Sequence, residues 1–380
     1  MLDGWKKASI GEIGRVVTGT TPATANPEYY GGEIPFVTPG DLGKTLFVYD
    51  AERTLTAEGL AQANALPPGA VLFTCIGTIG KSAIAGRALA TNQQINAIIC
   101  DPQKVDSAFV YYLLDMRAEA ISQLAGAQTV PIINKSTFED VTAPFPPLPE
   151  QRKIAEILRT WDEAIEKLEA LRAAKLRRIT SVRQRLFEAA YTSHNRLRRA
   201  RDIFETVSER ARPDLPLLAV MQDIGIVRRD ELDRRVAMPD GDTSSYKVVR
   251  PGDFVISLRS FEGGLEYSTI TGLVSPAYTV LRPITELVGD YYRHFFKSRS
   301  FVGRLDKLIF GIRDGKQIAF RDFGDVHIPA PPVSEQKAQT AALDCLEADL
   351  ALENDRIEAL TRQKRGLMQK LLTGEWRVSP

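Results

Sequence analysis

Six consecutive residues, Gly77-Thr-Ile-Gly80-Lys81-Ser82, carry the ending of a phosphate-binding loop, in which glycines let backbone N–H groups surround phosphate and a lysine neutralises it. The complete pattern needs a further glycine where this chain has Cys75. A β-turn between short strands accounts for the segment better. Asn26-Pro27-Glu28-Tyr29 is close to the Asn-Pro-Pro-Tyr arrangement with which amino-methyltransferases hold a target base. It lacks the second proline, and no glycine-rich strand-to-helix loop is available to cradle an adenosine cofactor. Asn-Pro is read here as the start of a turn. Cys75, Cys100 and Cys345 lie far apart without CxxC spacing, and His194, His294 and His327 are isolated, so neither a disulfide framework nor a metal site is expected. No carboxylate–lysine cluster of nuclease or helicase type and no Ser, His and Asp arrangement stands out. The expectation is a binding protein without catalysis, cofactor or metal.

The elements that would position a binding surface are written in a repeat. Phe145-Pro-Pro-Leu-Pro-Glu-Gln-Arg-Lys153 has a counterpart in Ala330-Pro-Pro-Val-Ser-Glu-Gln-Lys337, with Glu150 and Glu335 separated by 185 residues. Three more landmarks follow in the same order: Phe138-Glu-Asp-Val141 with Phe323-Gly-Asp-Val326, Pro68-Gly-Ala-Val-Leu-Phe73 with Pro251-Gly-Asp-Phe-Val-Ile256, and Asp41-Leu42 with Asp223-Ile224. Each repeat runs through a mixed region into a proline-rich hinge and then a long charged helix.

Both helices carry heptad seams. Leu158, Trp161, Ile165, Leu168, Arg172, Lys175, Ile179, Val182 and Leu186 keep alternating spacings of three and four, and so do Leu343, Leu346, Leu350, Glu353, Ile357, Leu360, Lys364, Leu367 and Leu371. From Arg172 to Arg201 there are ten Arg or Lys and one acid, and from Asp344 to Glu358 six acids and one base. Antiparallel pairing puts the basic stretch beside the acidic one and matches Lys175 with Glu353.

Short β-rich runs (Ala70–Phe73, Ala97–Cys100, Phe254–Ser257, Thr279–Leu281) and helical patterns over Asp106–Leu124 and Glu286–Val302 fill the mixed regions. The expected fold class is therefore α+β: two pseudo-repeated domains, at 1–145 and 193–328, separated by two long helices, at 146–192 and 329–380, that pair as an antiparallel coiled coil.

In order, Gly11-Glu-Ile-Gly14, Thr18-Gly-Thr-Thr-Pro22, Tyr30-Gly-Gly-Glu-Ile-Pro-Phe-Val-Thr38, Gly40-Asp-Leu42, Thr91-Asn-Gln-Gln94 and the Pro-Pro-Leu-Pro-Glu-Gln hinge at 146–151 resemble the first half of a type I restriction-modification specificity subunit. Val220-Met-Gln-Asp223-Ile-Gly225, Ser275-Pro-Ala-Tyr278, Pro331-Pro-Val-Ser-Glu-Gln336 and Lys370-Leu-Leu-Thr-Gly374 extend the likeness through the second half. It departs most where Asn92-Gln-Gln94 is replaced by Val274-Ser-Pro276.

The resemblance implies two target recognition domains, each reading half of a bipartite double-stranded DNA site, with the helix pair setting their separation. It also implies two methyltransferase (M) subunits as partners and, in a restriction complex, restriction/translocase (R) subunits. The seam from Leu158 to Leu186 would span roughly 42 Å at ~1.5 Å per residue, on the order of one DNA turn. With 49 Lys plus Arg against 48 Asp plus Glu, this chain would leave much of the phosphate neutralisation to its partners. Without a membrane span or a signal-peptide core, it is expected to stay in the cytoplasm. Two other readings stay open: a divergent DNA adenine methyltransferase, and a coiled-coil scaffold that does not bind DNA.

Donor-bearing side chains on turns are the candidates for base contact, because base edges demand that geometry. They are Thr78, Lys81, Asn92, Gln93, Gln94 and Lys135 in the first domain and Arg259, Arg313, Lys316 and Gln317 in the second. Glu150, Gln151, Glu335 and Gln336, at the helix entries, are the candidates for partner docking.

Overall fold

The computed structural model describes residues 4–126, 129–192, 196–222, 225–232, 243–256, 264–309 and 320–379. The chain divides into two units, Met1–Glu169 with Arg356–Pro380, and Ala170–Asp355. Each contains sheets and helices, an α+β architecture.

In the first unit, apolar runs broken by turns build a sheet in the order Gly14–Thr18, Ile95–Cys100, Val71–Thr74, Ser82–Ala85, Phe47–Val48, antiparallel but for the last pair. Its side chains alternate between two clusters: Val71 and Phe73 belong to one, Ala70 and Leu72 to the other. The helix Ser107–Ser122, capped by Asp106 accepting from the backbone of Ala108 and Phe109, covers one of these faces with Phe109, Tyr112 and Leu113. Phe73 stacks on Phe138 at 5.2 Å between centroids. Lys6–Ser9 pairs with Thr142–Phe145 immediately ahead of the first long helix, Leu148–Thr192. A second sheet, Arg53–Leu55, Tyr30–Val37, Leu89–Thr91 and Ala65–Leu66, completes the unit.

The second unit uses the same strand order. Phe204–Val207, Thr279–Pro283, Phe254–Ile256 and Glu266–Tyr267 are antiparallel neighbours, and Leu197–Arg199 pairs with His327–Pro329 just ahead of the second long helix, Val333–Leu372. The sheet packs through Phe204, Phe254, Tyr292 and Phe296 onto the helix Gly289–Phe296, with Phe204 and Tyr292 rings 5.4 Å apart. The expected helix Glu286–Val302 is broken. Gly289–Phe296 ends at Lys297, and buried Ser298, whose hydroxyl accepts from Phe301 N at 3.3 Å, opens the separate helix Arg299–Ile309. A hydroxyl that competes for backbone donors favours a cap over a continuous turn.

Both heptad seams are withdrawn from solvent, with Arg172 the one fully exposed position among them. In the first unit Asp162 binds Lys364, and Leu158 lies in one apolar cluster with Leu371. In the second, Lys175 Nζ lies 2.7 Å from Glu353 and 3.0 Å from Asp349, and Arg183 lies 2.7 Å from Glu347. Within the second unit, partner numbers fall on one helix as they rise on the other, and the expected Lys175–Glu353 match is present. Of the repeat landmarks, Asp223 and Ile224 lie outside the described residues. Among those described, no helix is long and apolar enough to cross a membrane.

Candidate nucleic-acid interface

Antiparallel order brings the end of Gly14–Thr18, the end of Val71–Thr74, the start of Ser82–Ala85 and the start of Ile95–Cys100 to one edge of the first unit's main sheet. The loops leaving that edge are sewn together by backbone bonds. Gly19 N donates to Ile95 O at 3.0 Å, Thr20 N to Thr91 O at 2.9 Å, Cys75 N to Gln94 O at 2.8 Å, Gly77 N to Pro131 O at 3.0 Å and Ile133 N to Cys75 O at 2.9 Å. The approach is so close that a Cβ on Gly19 would sit 2.1 Å from Asn92 O.

This edge gathers most of the first-domain candidates but uses them differently. Thr78 and Gln93 are exposed, and Gln93 accepts from Thr21 Oγ1 at 2.6 Å. Gln94 is half-buried and its Oε1 accepts from Asn92 Nδ2 at 2.8 Å. Asn92 itself is buried and its Oδ1 accepts from Gln94 N, so its amide shapes the turn instead of facing a ligand. Lys81 Nζ donates to Pro39 O at 3.1 Å and is half-buried, tying one loop to another.

Lys135 is a clear departure. It starts the short helix Lys135–Glu139, pairs with Glu139 at 3.6 Å, and borders a cleft with Gly14, Arg15 and Ile99, at the opposite end of the sheet. Arg259, Arg313, Lys316 and Gln317 lie outside the described residues.

The six residues that resembled a phosphate loop form a hairpin turn. Gly77 and Gly80 have φ of +73° and +105°, and Thr74 N donates to Lys81 O at 2.9 Å. Asn26 starts a turn as expected, its Oδ1 accepting from Glu28 N at 3.1 Å. Burial pushes the Cys75 thiol up to about 11, so at neutral pH it is a protonated thiol and a poor nucleophile.

The hinge residues expected to dock partners are turned inward. Gln151 is 1 % exposed: its Oε1 accepts from Asp106 N at 3.0 Å, and its Nε2 donates to Lys104 O at 3.1 Å and to Pro146 O at 2.9 Å. Gln336 repeats the arrangement, accepting from Val288 N at 2.8 Å and donating to Pro331 O at 2.8 Å. Each glutamine thus joins its hinge to the N-terminus of the helix lying on its sheet, Ser107–Ser122 or Gly289–Phe296. Glu150 is buried and held by Arg377 through bonds of 2.8 and 3.0 Å. Glu335 is half-buried beside Arg196. Both amides are buried and bonded within the fold, which directs them to their own hinges and away from solvent.

Residues that the sequence reading passed over include Thr20, Thr21 and Asn64, whose Nδ2 bonds Thr18 O and Thr20 Oγ1 at 2.8 and 3.0 Å. In the second unit the corresponding edge carries Ser208, Arg210, Lys247 and Tyr278. The repeat contained the signal: the strand ending at Thr18 is the counterpart of the strand ending at Val207. Away from this edge, His294, Asp344 and Glu347 come together, but Arg293 and Arg183 already bind the carboxylates. Burial, reinforced by Arg293, pushes the His294 imidazole down.

Residues 2–176 match the family model described as the type I restriction modification DNA specificity domain. The chain is 36% identical over 168 residues to the MjaIX specificity subunit of Methanocaldococcus jannaschii, covering 43% of this chain and 39% of that one. It is 28% identical over 143 residues to the HindI specificity subunit of Haemophilus influenzae, covering 36% and 31%. These two alignments span well under half of the relatives' own lengths. The MjaVIII specificity subunit of M. jannaschii matches at 22% identity over 99% of this chain and 94% of its own. Among solved structures, the S subunit from M. genitalium aligns with a TM-score of 0.56 at 17% identity, covering 98% of both chains. A chain from a structure of type I R-M complex assembly aligns with a TM-score of 0.64 at 18% identity, covering 98% of this chain and 99% of that one.

Proposed function

We propose that the chain is a type I restriction-modification specificity subunit, as the match of residues 2–176 and the similarity to the M. jannaschii subunits support, and that it reads a bipartite DNA target with one half-site per unit and performs no chemistry on it. The observation that carries this reading is the repeated strand order with a buried glutamine at the same place in each unit. Two copies of one framework, each opening a loop-bearing sheet edge, suit a target read in two parts. In the first unit Thr78, Gln93 and Gln94 are the side chains proposed to face bases, Thr20 and Thr21 supporting them, since hydroxyls and amides supply the donors and acceptors that base edges discriminate.

The two long helices are proposed to act as an antiparallel coiled coil that fixes the spacing of the half-sites. Lys175–Glu353 and Arg183–Glu347 support the pairing, and the 45 residues of the first helix supply the length. Two methyltransferase subunits are proposed to dock on the outer faces of these helices, and restriction subunits to join through them. Leu171, Leu176 and Leu352, at 44%, 54% and 60% exposure, leave apolar surface in water that such docking would cover. The deciding experiment is to express the chain with its methyltransferase partner and map the methylated adenines. Two short motifs at fixed spacing are expected. One continuous motif, or no methylation dependent on this chain, would overturn the reading.

A further inference from the structure

In the second unit two cations come together where, among the described residues, the carboxylates beside them in the chain, Glu209 and Asp214, are already paired. Ser208–Ala211 leaves the end of the strand Phe204–Val207 and runs beside Ser244–Val248: Val248 N donates to Glu209 O at 2.8 Å and Ala211 N to Ser244 O at 3.0 Å. Arg210 lies between those two bonds, exposed, its Nε donating to Ser208 Oγ at 3.2 Å. Half-buried Lys247 donates from Nζ to Tyr278 O at 2.6 Å. Among the described residues neither has a carboxylate partner. Glu209 grips Arg250 through bonds of 2.9 and 3.0 Å, and Asp214 grips Arg212 at 2.9 Å. Burial and then the charge of Arg210 hold the Lys247 ammonium below its usual range. Like charges kept together without a counter-charge mark a place for an anion.

We propose that Arg210 and Lys247 form a clamp for the phosphate backbone of duplex DNA at the reading edge of the second unit. The assignment rests on the DNA-reading function above. The arrangement supplies position without base information: one guanidinium in solvent on the loop after Phe204–Val207, and one ammonium at the start of the strand Lys247–Val249, fixed by a backbone carbonyl. In the first unit the equivalent stretch after Gly14–Thr18 carries the hydroxyls of Thr20 and Thr21 where the second unit has Arg210.

The test is the salt dependence with which the full chain binds a fluorescein-labelled duplex of random sequence. Arg210→Gln with Lys247→Gln keeps hydrogen-bonding capacity and removes both charges. Two lost phosphate contacts should reduce the slope of log affinity against log salt by about 1.8, so that between ~50 and ~200 mM salt the native chain loses about tenfold more affinity than the variant. Arg210→Lys with Lys247→Arg should keep the native slope. An unchanged slope in the neutral variant, with native affinity, would refute the clamp alone. Failure of the folded native chain to bind any duplex would instead sink the DNA reading beneath it. A charge-retaining variant that loses slope as fully as the neutral one would show that the side-chain shapes, not their charges, matter, and would also overturn the clamp.

Discussion

Replacing Gln151 with Leu tests whether each hinge is locked to its own unit. The change removes an acceptor from Asp106 N–H and two donations, to Lys104 O and Pro146 O, in a site only 1 % exposed. A buried polar group left unpaired costs roughly 1–3 kcal/mol. With some relaxation of the carbonyls, about 3 kcal/mol should be lost. At a denaturant slope of ~2–3 kcal/mol/M this lowers the urea midpoint by about 1 M. The molecule provides its own reporter, because Trp5, Trp161 and Trp376 all fall in the first unit. Tryptophan fluorescence should therefore register Gln151→Leu. Gln336→Leu, which strands Val288 N–H and Pro331 O in the other unit, should move only the circular-dichroism component that lacks a tryptophan counterpart. Gln151→Glu adds a check by sign. A carboxyl buried against the Lys104 and Pro146 carbonyl oxygens has its folded pKa raised, so its destabilisation is greatest when ionised and the part due to ionisation disappears below the unfolded value of ~4.3. A tryptophan midpoint indifferent to Gln151→Leu, or lowered equally by Gln336→Leu, would refute the reasoning.

Reversing Lys175 to Glu or Glu353 to Lys should each lower the thermal midpoint more than reversing both, since the double change restores an ion pair at the seam; independent effects in a double-mutant cycle would argue against coupling. His294, buried with its folded pKa held down, should make the second unit lose stability as pH falls below the unfolded value of ~6.5, because the unfolded chain then takes up a proton that the native one does not. His294→Gln should flatten that part of the pH profile, read by circular dichroism with tryptophan as the first-unit control. Four residues inserted into each long helix, about one turn, should lengthen the gap between half-sites in the methylation motif without changing the bases read; an unaltered gap would count against the spacing role. Gln93→Ala should alter one half-site while Lys135→Ala leaves both intact, an expectation that motif mapping can contradict directly.

The parts of this molecule legible in sequence are those governed by period. A heptad survives any surroundings, so matching seam midpoints was enough to pair Lys175 with Glu353. Collinear landmarks likewise exposed the duplication before strand order was known. What resisted reading was the state of polar side chains. Asn92 and Gln93 are adjacent and chemically alike, yet one amide is folded into its own turn and the other faces water, because the strand beginning at Ile95 fixes which of them lies over the sheet. Gln151 and Gln336 resemble a surface motif in sequence and become interior hydrogen-bond partners only when a helix from elsewhere supplies Asp106 N or Val288 N. Lys135 stands apart from the other candidates for a topological reason: antiparallel strands put their loops at alternate ends, and it falls at the end opposite Thr78 and Gln93.

Under the proposed function, that division between frame and edge would let one architecture serve different targets. The buried contacts, Phe73 on Phe138 or Phe204 on Tyr292, and the two glutamine locks fix each sheet to its hinge, and a change in them costs stability in that unit. The edge residues Thr78 and Gln93, and Arg210 at the other edge, project from loops whose backbone is already satisfied by neighbouring loops, so their side chains can be exchanged at little cost to the fold. Specificity can therefore change at the edge while the hinge geometry stays constant. The same logic assigns different consequences to the two classes of mutation. Variants at Thr78 or Gln93 should change which bases are methylated at one half-site, whereas lock variants should loosen the permitted spacing and leave the bases unchanged.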